Sequence, residues 1–269
     1  MELNQLRYSR QRGNNLYNSQ STKPYQLSRW RIEKFIRCPR CFYLDLKLGI
    51  EPYLGPHPLP GTPHLGIAVH ALLRKEFDEY RLKKKPHPYI TESGIKAIPL
   101  NNDEISSWRN WRQGVRYHDE TLNMIFMGVI DDLWVKEDGT LIIVDYKTAS
   151  HSQIDLNAGN LKQFHKRQIE FYQWLFAKKG FKVSDTGIFV YCNGLANRPG
   201  FSGRLDFDVK LLPYKGDISW VDPILNDARE CLKSNSIPKP SPNCVPCQYV
   251  SAYNQTIKFS DRPEHRKAA

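Results

Sequence analysis

Four charged residues interrupt two otherwise apolar runs. Asp131 and Asp132 fall in MIFMGVIDDLWV (124–135), and Asp145 and Lys147 in LIIVDYKT (141–148). Runs this rich in aliphatic and aromatic residues predict strands. An unpaired carboxylate buried there costs several kcal/mol, so these side chains must be ion-paired, hydrogen-bonded or bound to a cation. Gly139 in the short connection Lys136 to Thr140 predicts a hairpin. If Glu137, Asp138 and Gly139 form a three-residue loop with Gly139 left-handed, Asp131 falls opposite Asp145, and Lys147 shares their face. A two-residue loop would shift the register by one and put Asp131 on the other face. Facing carboxylates with a lysine one step along can hold a hard cation through oxygen while the ammonium stays close to a bound anion. That set suits phosphodiester hydrolysis: a cation lowers the pKa of water and offsets charge on phosphate, and the lysine positions the water or stabilises the pentacovalent transition state. A structural ion pair between Asp145 and Lys147 would account for the same residues without chemistry. Asp132 is expected to be a solvated neighbour.

Several elements must position these residues. Ser28 is a candidate N-cap for a helix over RWRIEKFIRC, with Trp30, Phe35 and Ile36 as buried positions and Pro39 ending or kinking it. The Pro- and Gly-rich residues 51–63 read as a loop. The helix LGIAVHALLRKEFDEY follows, with an apolar stripe of Leu65, Val69, Leu72, Leu73, Phe77 and Tyr80 and with His70 beside it. Residues 101–121 read as helical, with Trp108 and Trp111 interleaved with Arg109 and Arg112, a surface that is either packed or turned toward DNA. After the hairpin come a helix over HKRQIEFYQWLFAKKG, a strand over TGIFVYC and a half-exposed strand in which Leu205, Phe207, Val209 and Leu211 alternate with polar residues. A last helix is expected within 217–234, and the Pro-rich IPKPSPNCVPC ends in a paired-cysteine turn. Residues 1–27 are expected to form a flexible basic arm, 28–255 one domain with cysteine pairs at both ends, and 256–269 a basic tail.

The formal net charge is +11, which attracts a polyanion before any specific contact forms. Hydrophobic residues make up 40% of the chain, enough for a folded core. No apolar run reaches the length of a bilayer span and no leader-like segment opens the chain, so the cytoplasm is the expected compartment and no membrane partner is expected.

GVID at 128–131 followed by VDYKT at 144–148 resembles the signature of the PD-(D/E)xK nucleases, and the resemblance extends outward in order. GIAVH at 66–70 is similar to the G-x-x-x-H motif of the RecB-like branch, and QIEFY at 168–172 to its Q-x-x-x-Y motif. The resemblance implies an α/β restriction-endonuclease-like core with a mixed central sheet flanked by helices. It implies that His70, Asp131 and Asp145 bind Mg²⁺ or Mn²⁺ with the Tyr146 carbonyl, that Lys147 is the catalytic lysine, and that Gln168 and Tyr172 serve the site from one helix face. The activity implied is metal-dependent hydrolysis of DNA, of exonuclease type, in DNA repair, recombination or CRISPR adaptation, with a helicase or a CRISPR integration complex as partner.

Cys38 and Cys41 form one C-x-x-C pair, and Cys244 and Cys247 a second; Cys192 and Cys231 fall in strand and helix patterns and are expected to be buried. Two such pairs suit one shared Zn²⁺ or an iron–sulfur cluster. The layout is similar to the iron–sulfur CRISPR-associated adaptation exonucleases, whose [4Fe–4S] cluster is held by cysteines on both sides of the core. Those divide their cysteines one and three, whereas this chain divides them two and two. Two other readings fit parts of the pattern: a catalytically silent nucleic-acid-binding module, and a zinc-stapled basic interaction protein whose acidic hairpin is structural.

Overall fold

The computed structural model describes residues 16–50, 65–150 and 161–260, so the loop read at 51–63 and most of both basic ends lie outside the described residues. The chain divides into two compact units: residues 26–29 and 62–222 belong to one, and the segments before, between and after them to the other. The α/β architecture is as expected.

The first elements are β1 (Tyr25–Ser28), α1 (Arg29–Arg37), α2 (Pro39–Leu48) and α3 (Leu65–Lys83). Tyr25–Ser28 is a strand with Leu27 fully buried, so ordered structure begins before the expected cap at Ser28. Cys38, extended at φ −163°, separates α1 from α2, and Pro39 opens α2, where a missing N–H costs nothing. Trp30 is 53% exposed, while Ile32, Glu33 and Phe35 are buried, which turns the helix relative to the expected face. On α3, Leu65 and Leu72 are exposed, and Leu73, Phe77 and Arg81 form the buried face.

Next come α4 (Pro88–Glu92), β2 (Ile98–Pro99), α5 (Ile105–Trp108), β3 (Val115–Asp119), β4 (Met124–Gly128), β5 (Asp132–Val135) and β6 (Leu141–Ala149). Two expectations are corrected. The helix expected over 101–121 is a single short turn that ends at Arg109, and the chain turns again at Gly114, φ +65°, to enter β3. The long strand expected over 124–135 is two strands in different sheets: β4 is central in the three-stranded sheet β1–β4–β3, and β5 belongs to the five-stranded sheet β2–β5–β6–β7–β8.

The hairpin loop is the three-residue form. Gly139 has φ +77°, and its N–H donates to the Lys136 carbonyl at 3.0 Å, while the Lys136 N–H donates to the Thr140 carbonyl at 3.0 Å. Asp132 therefore pairs with Val144, and one step further along the register Asp131 stands opposite Asp145.

The chain ends with α6 (Gln163–Lys178), β7 (Thr186–Gly194), β8 (Phe207–Lys215), α7 (Val221–Lys233) and α8 (Val245–Ser260). β6 and β7 run parallel with α6 as the crossover, and the remaining pairs of this sheet are antiparallel. Alternation sorts β6 and β7: Ile142, Val144, Tyr146, Ile188 and Val190 pack with Leu73 and Phe77 of α3, leaving Asp145 and Lys147 on the other face. The paired-cysteine turn is the start of α8, an element the Pro-rich sequence before it obscured.

Candidate active site

Asp131 sits at the bend where the chain leaves the three-stranded sheet and enters β5. Tyr172 of α6 supports that bend: its hydroxyl, on a residue 4% exposed, donates to the Val129 carbonyl at 2.6 Å. Gly128 is required there, since a Cβ at this position would collide with the Tyr172 ring. Asp131 itself accepts a hydrogen bond from the Tyr146 N–H at 2.9 Å and one from Arg74 Nη2 at 3.2 Å, and His70 Nδ1 lies 3.8 Å from it. Burial opposes its charge, but His70, Lys147 and the Tyr146 amide hold its carboxyl below the usual range.

Asp145 is 1% exposed and ion-paired with Lys147, and no other donor reaches either of its oxygens among the described residues. Burial, reinforced by the neighbouring Asp131 charge, pushes its carboxyl up against the pull of Lys147. Lys147 Nζ also donates to Gln168 Oε1 at 3.3 Å. His70, Asp131, Asp145, Lys147 and Gln168 are thus brought to one region, with Tyr172 beneath it.

This donor set fits a hard divalent cation, because a carboxylate without enough donors next to a second carboxylate needs more positive charge than one lysine supplies. Among the described residues only four cysteines converge tightly enough to grip an ion as they stand. A cation at the acids would have to take over the places of the Arg74 and Lys147 charges.

Asp132 is not a solvated neighbour. It is fully buried and accepts from Arg81 Nη2 and Arg109 Nη2, each at 2.6 Å, and from the Tyr146 hydroxyl at 2.9 Å. Two further residues escaped the sequence reading. Arg74 lies four residues after His70 and so shares its helical face, a spacing that could have revealed it. His165, three residues before Gln168, has a buried Nδ1 without a hydrogen-bond partner among the described residues, and burial together with Lys147 lowers it to about 4, so it is neutral.

The second cluster belongs to the other unit. Cys38, Cys41, Cys244 and Cys247 have their Sγ atoms within 4.8 Å of one another, with 3.4 Å between Cys41 and Cys244, 3.6 Å between Cys41 and Cys247 and 3.9 Å between Cys38 and Cys247. All four are free thiols. Burial pushes Cys41 up; Cys38, also opposed by burial, is held at about 7 by hydrogen bonds from the Cys41 and Ser241 backbone. Crowded thiols that resist sharing negative charge fit a cation bound among them. Cys192 is buried, as expected, and Cys231 is partly exposed.

No curated protein matches the sequence. Among solved structures, "Crystal structure of SSO0001" is similar over 79% of this chain and 78% of its own, at 17% identity and a TM-score of 0.37, too distant a likeness to carry an argument. The family model of the PD-(D/E)XK nuclease superfamily matches residues 26–252, which include every residue of both clusters, and the chain belongs to that superfamily of metal-dependent nucleases.

Proposed function

We propose that the protein is a divalent-metal-dependent deoxyribonuclease of the RecB-like branch, with Asp131, Asp145 and His70 holding Mg²⁺ or Mn²⁺ alongside the Tyr146 carbonyl. The observation that carries this reading is Asp145, buried opposite Asp131 and, among the described residues, with Lys147 as its one cationic partner. When bound, the cation supplies Lewis acidity toward the phosphate and a water of lowered pKa. With Asp145 engaged by a cation, Lys147 would be free to face the scissile phosphate, its ammonium directed by Gln168 Oε1. Arg74, on the face of α3 that carries His70, adds a positive group at Asp131. Tyr172 acts through the main chain, holding the bend that aims Asp131.

Exonuclease-type action, a setting in DNA repair, recombination or CRISPR adaptation, and a helicase or integration complex as partner rest on the resemblance of the motifs alone. The cysteine geometry favours zinc over the [4Fe–4S] cluster of the similar exonucleases. Four thiolates at about 2.3 Å from one tetrahedral ion lie roughly 3.8 Å apart, and the spacings here bracket that value. A cluster binds its thiolates through separate irons and spreads them farther.

The test is release of fragments from labelled single- and double-stranded DNA with Mg²⁺, Mn²⁺ or EDTA, comparing wild type with Lys147→Ala. Cleavage that needs metal and falls at least about a hundredfold in the variant is expected. Wild-type protein that binds DNA but never cuts it would instead favour the silent binding module, against which the intact Asp131, Asp145 and Lys147 argue.

A further inference from the structure

Trp108 and Trp111 have separate fates. Trp108 is 2% exposed and packs edge-on against Phe176 at 5.1 Å and Phe181 at 5.8 Å. Trp111 is 74% exposed, and the Arg112 guanidinium lies 5.0 Å from its ring centroid. A bare indole face in water is unfavourable, and the core does not use this one. Two exposed arginines stand at the same turn, Arg112 and Arg116, the latter donating to the Gln113 and Arg112 carbonyls at 2.7 and 2.9 Å, whereas the Arg109 side chain is buried and ion-paired with Asp78 and Asp132.

The loop that presents Trp111 is fixed at both ends, and fixed to the segment leading into Asp131. The Ile130 N–H donates to the Trp108 carbonyl at 3.4 Å, and the Gly114 N–H donates to the Asn110 carbonyl at 2.8 Å. Gly114 approaches so closely that a Cβ there would stand 2.6 Å from the Gly128 carbonyl oxygen. Arg109 bonds Asp132, the residue after Asp131. The turn that carries the exposed ring is therefore anchored to the segment on either side of Asp131.

We infer that Trp111, with Arg112, is a stacking site for a base of single-stranded DNA entering the active site. The inference deepens the nuclease reading and rests on it for the identity of the substrate. An indole face takes any unpaired base, a guanidinium beside it adds cation–π and phosphate attraction, and a duplex offers no free base face.

The test measures binding by fluorescence anisotropy without added Mg²⁺ or Mn²⁺, using a labelled single strand, a duplex and an abasic strand of equal length. Trp111→Ala is expected to weaken the single strand by about tenfold and to leave the duplex and the abasic strand unchanged, while Trp111→Phe stays within about twofold of wild type. Unchanged single-strand affinity in Trp111→Ala, or an equal loss on all three probes, overturns the inference. Cleavage with Mg²⁺ is read separately. A wild type that cuts while Trp111→Ala binds normally removes the stacking site alone; a wild type that never cuts but shows the expected binding pattern removes the nuclease reading and leaves the stacking site standing.

Discussion

Asp131 and Asp132 are adjacent acids in different surroundings. Asp131 is 17% exposed at the side chain, and against burial His70, Lys147 and the Tyr146 amide favour its charge, while the acid that burial and this neighbouring charge disfavour is Asp145. Asp132 is fully buried and its charge is answered by Arg81 and Arg109, which both also bind Asp78, at 2.9 and 2.7 Å. Against its burial, these arginines keep the Asp78 carboxyl below its usual range. Removing one member of a buried, hydrogen-bonded charge set leaves the others uncompensated, at about 3–5 kcal/mol. Asp132→Asn is expected to lose stability of that order in urea denaturation, whereas Asp131→Asn is expected to lose cleavage with little loss of stability. Equal stability losses in the two would show that Asp131 is structural as well.

At the scale of elements, the bend between β4 and β5 is held by a contact that only glycine permits. With Gly128→Ala the new methyl must displace the Tyr172 ring, which in turn breaks the hydrogen bond to the Val129 carbonyl. Overpacking of this kind costs about 1–3 kcal/mol, and the expected result is a larger fractional loss of cleavage than Asp132→Asn gives at matched stability, since the displaced main chain carries Asp131. Cleavage rates measured alongside thermal denaturation check this. The register of the acids was legible because a left-handed Gly139 fixes a three-residue loop, and loop length fixes which residues face each other. The bend itself was not: Met124–Gly128 and Asp132–Val135 are equally apolar, and periodicity does not mark where a strand changes sheets. Trp108 and Trp111 were ambiguous for a related reason. A spacing of three suits one helix face, but the helix ends after Trp108, which leaves Trp111 on the following turn, with one ring in the core and the other in solvent.

At the scale of the molecule, two residue clusters lie in separate compact units and make separable demands on metal. The four cysteines join segments more than 200 residues apart in sequence (|i−j| = 203 between Cys41 and Cys244), so an ion there closes a long loop and adds its binding free energy to folding. α8 depends on it most. Val245, Tyr249, Val250 and Tyr253 are all more than half exposed, so little apolar burial holds the helix, while Cys244 and Cys247 anchor its first turn. If one zinc binds there, a chelator strong enough to remove it is expected to lower the thermal midpoint. Hydrogen-exchange protection should be lost first in α8 and then in α1 and α2, while β6, β7 and α6 keep theirs. Added Mg²⁺ should not restore the lost protection, because thiolates select the softer ion. A uniform loss across the chain would mean that the two units unfold as one, and no loss at all would mean that the cysteines are a packed thiol cluster needing no ion.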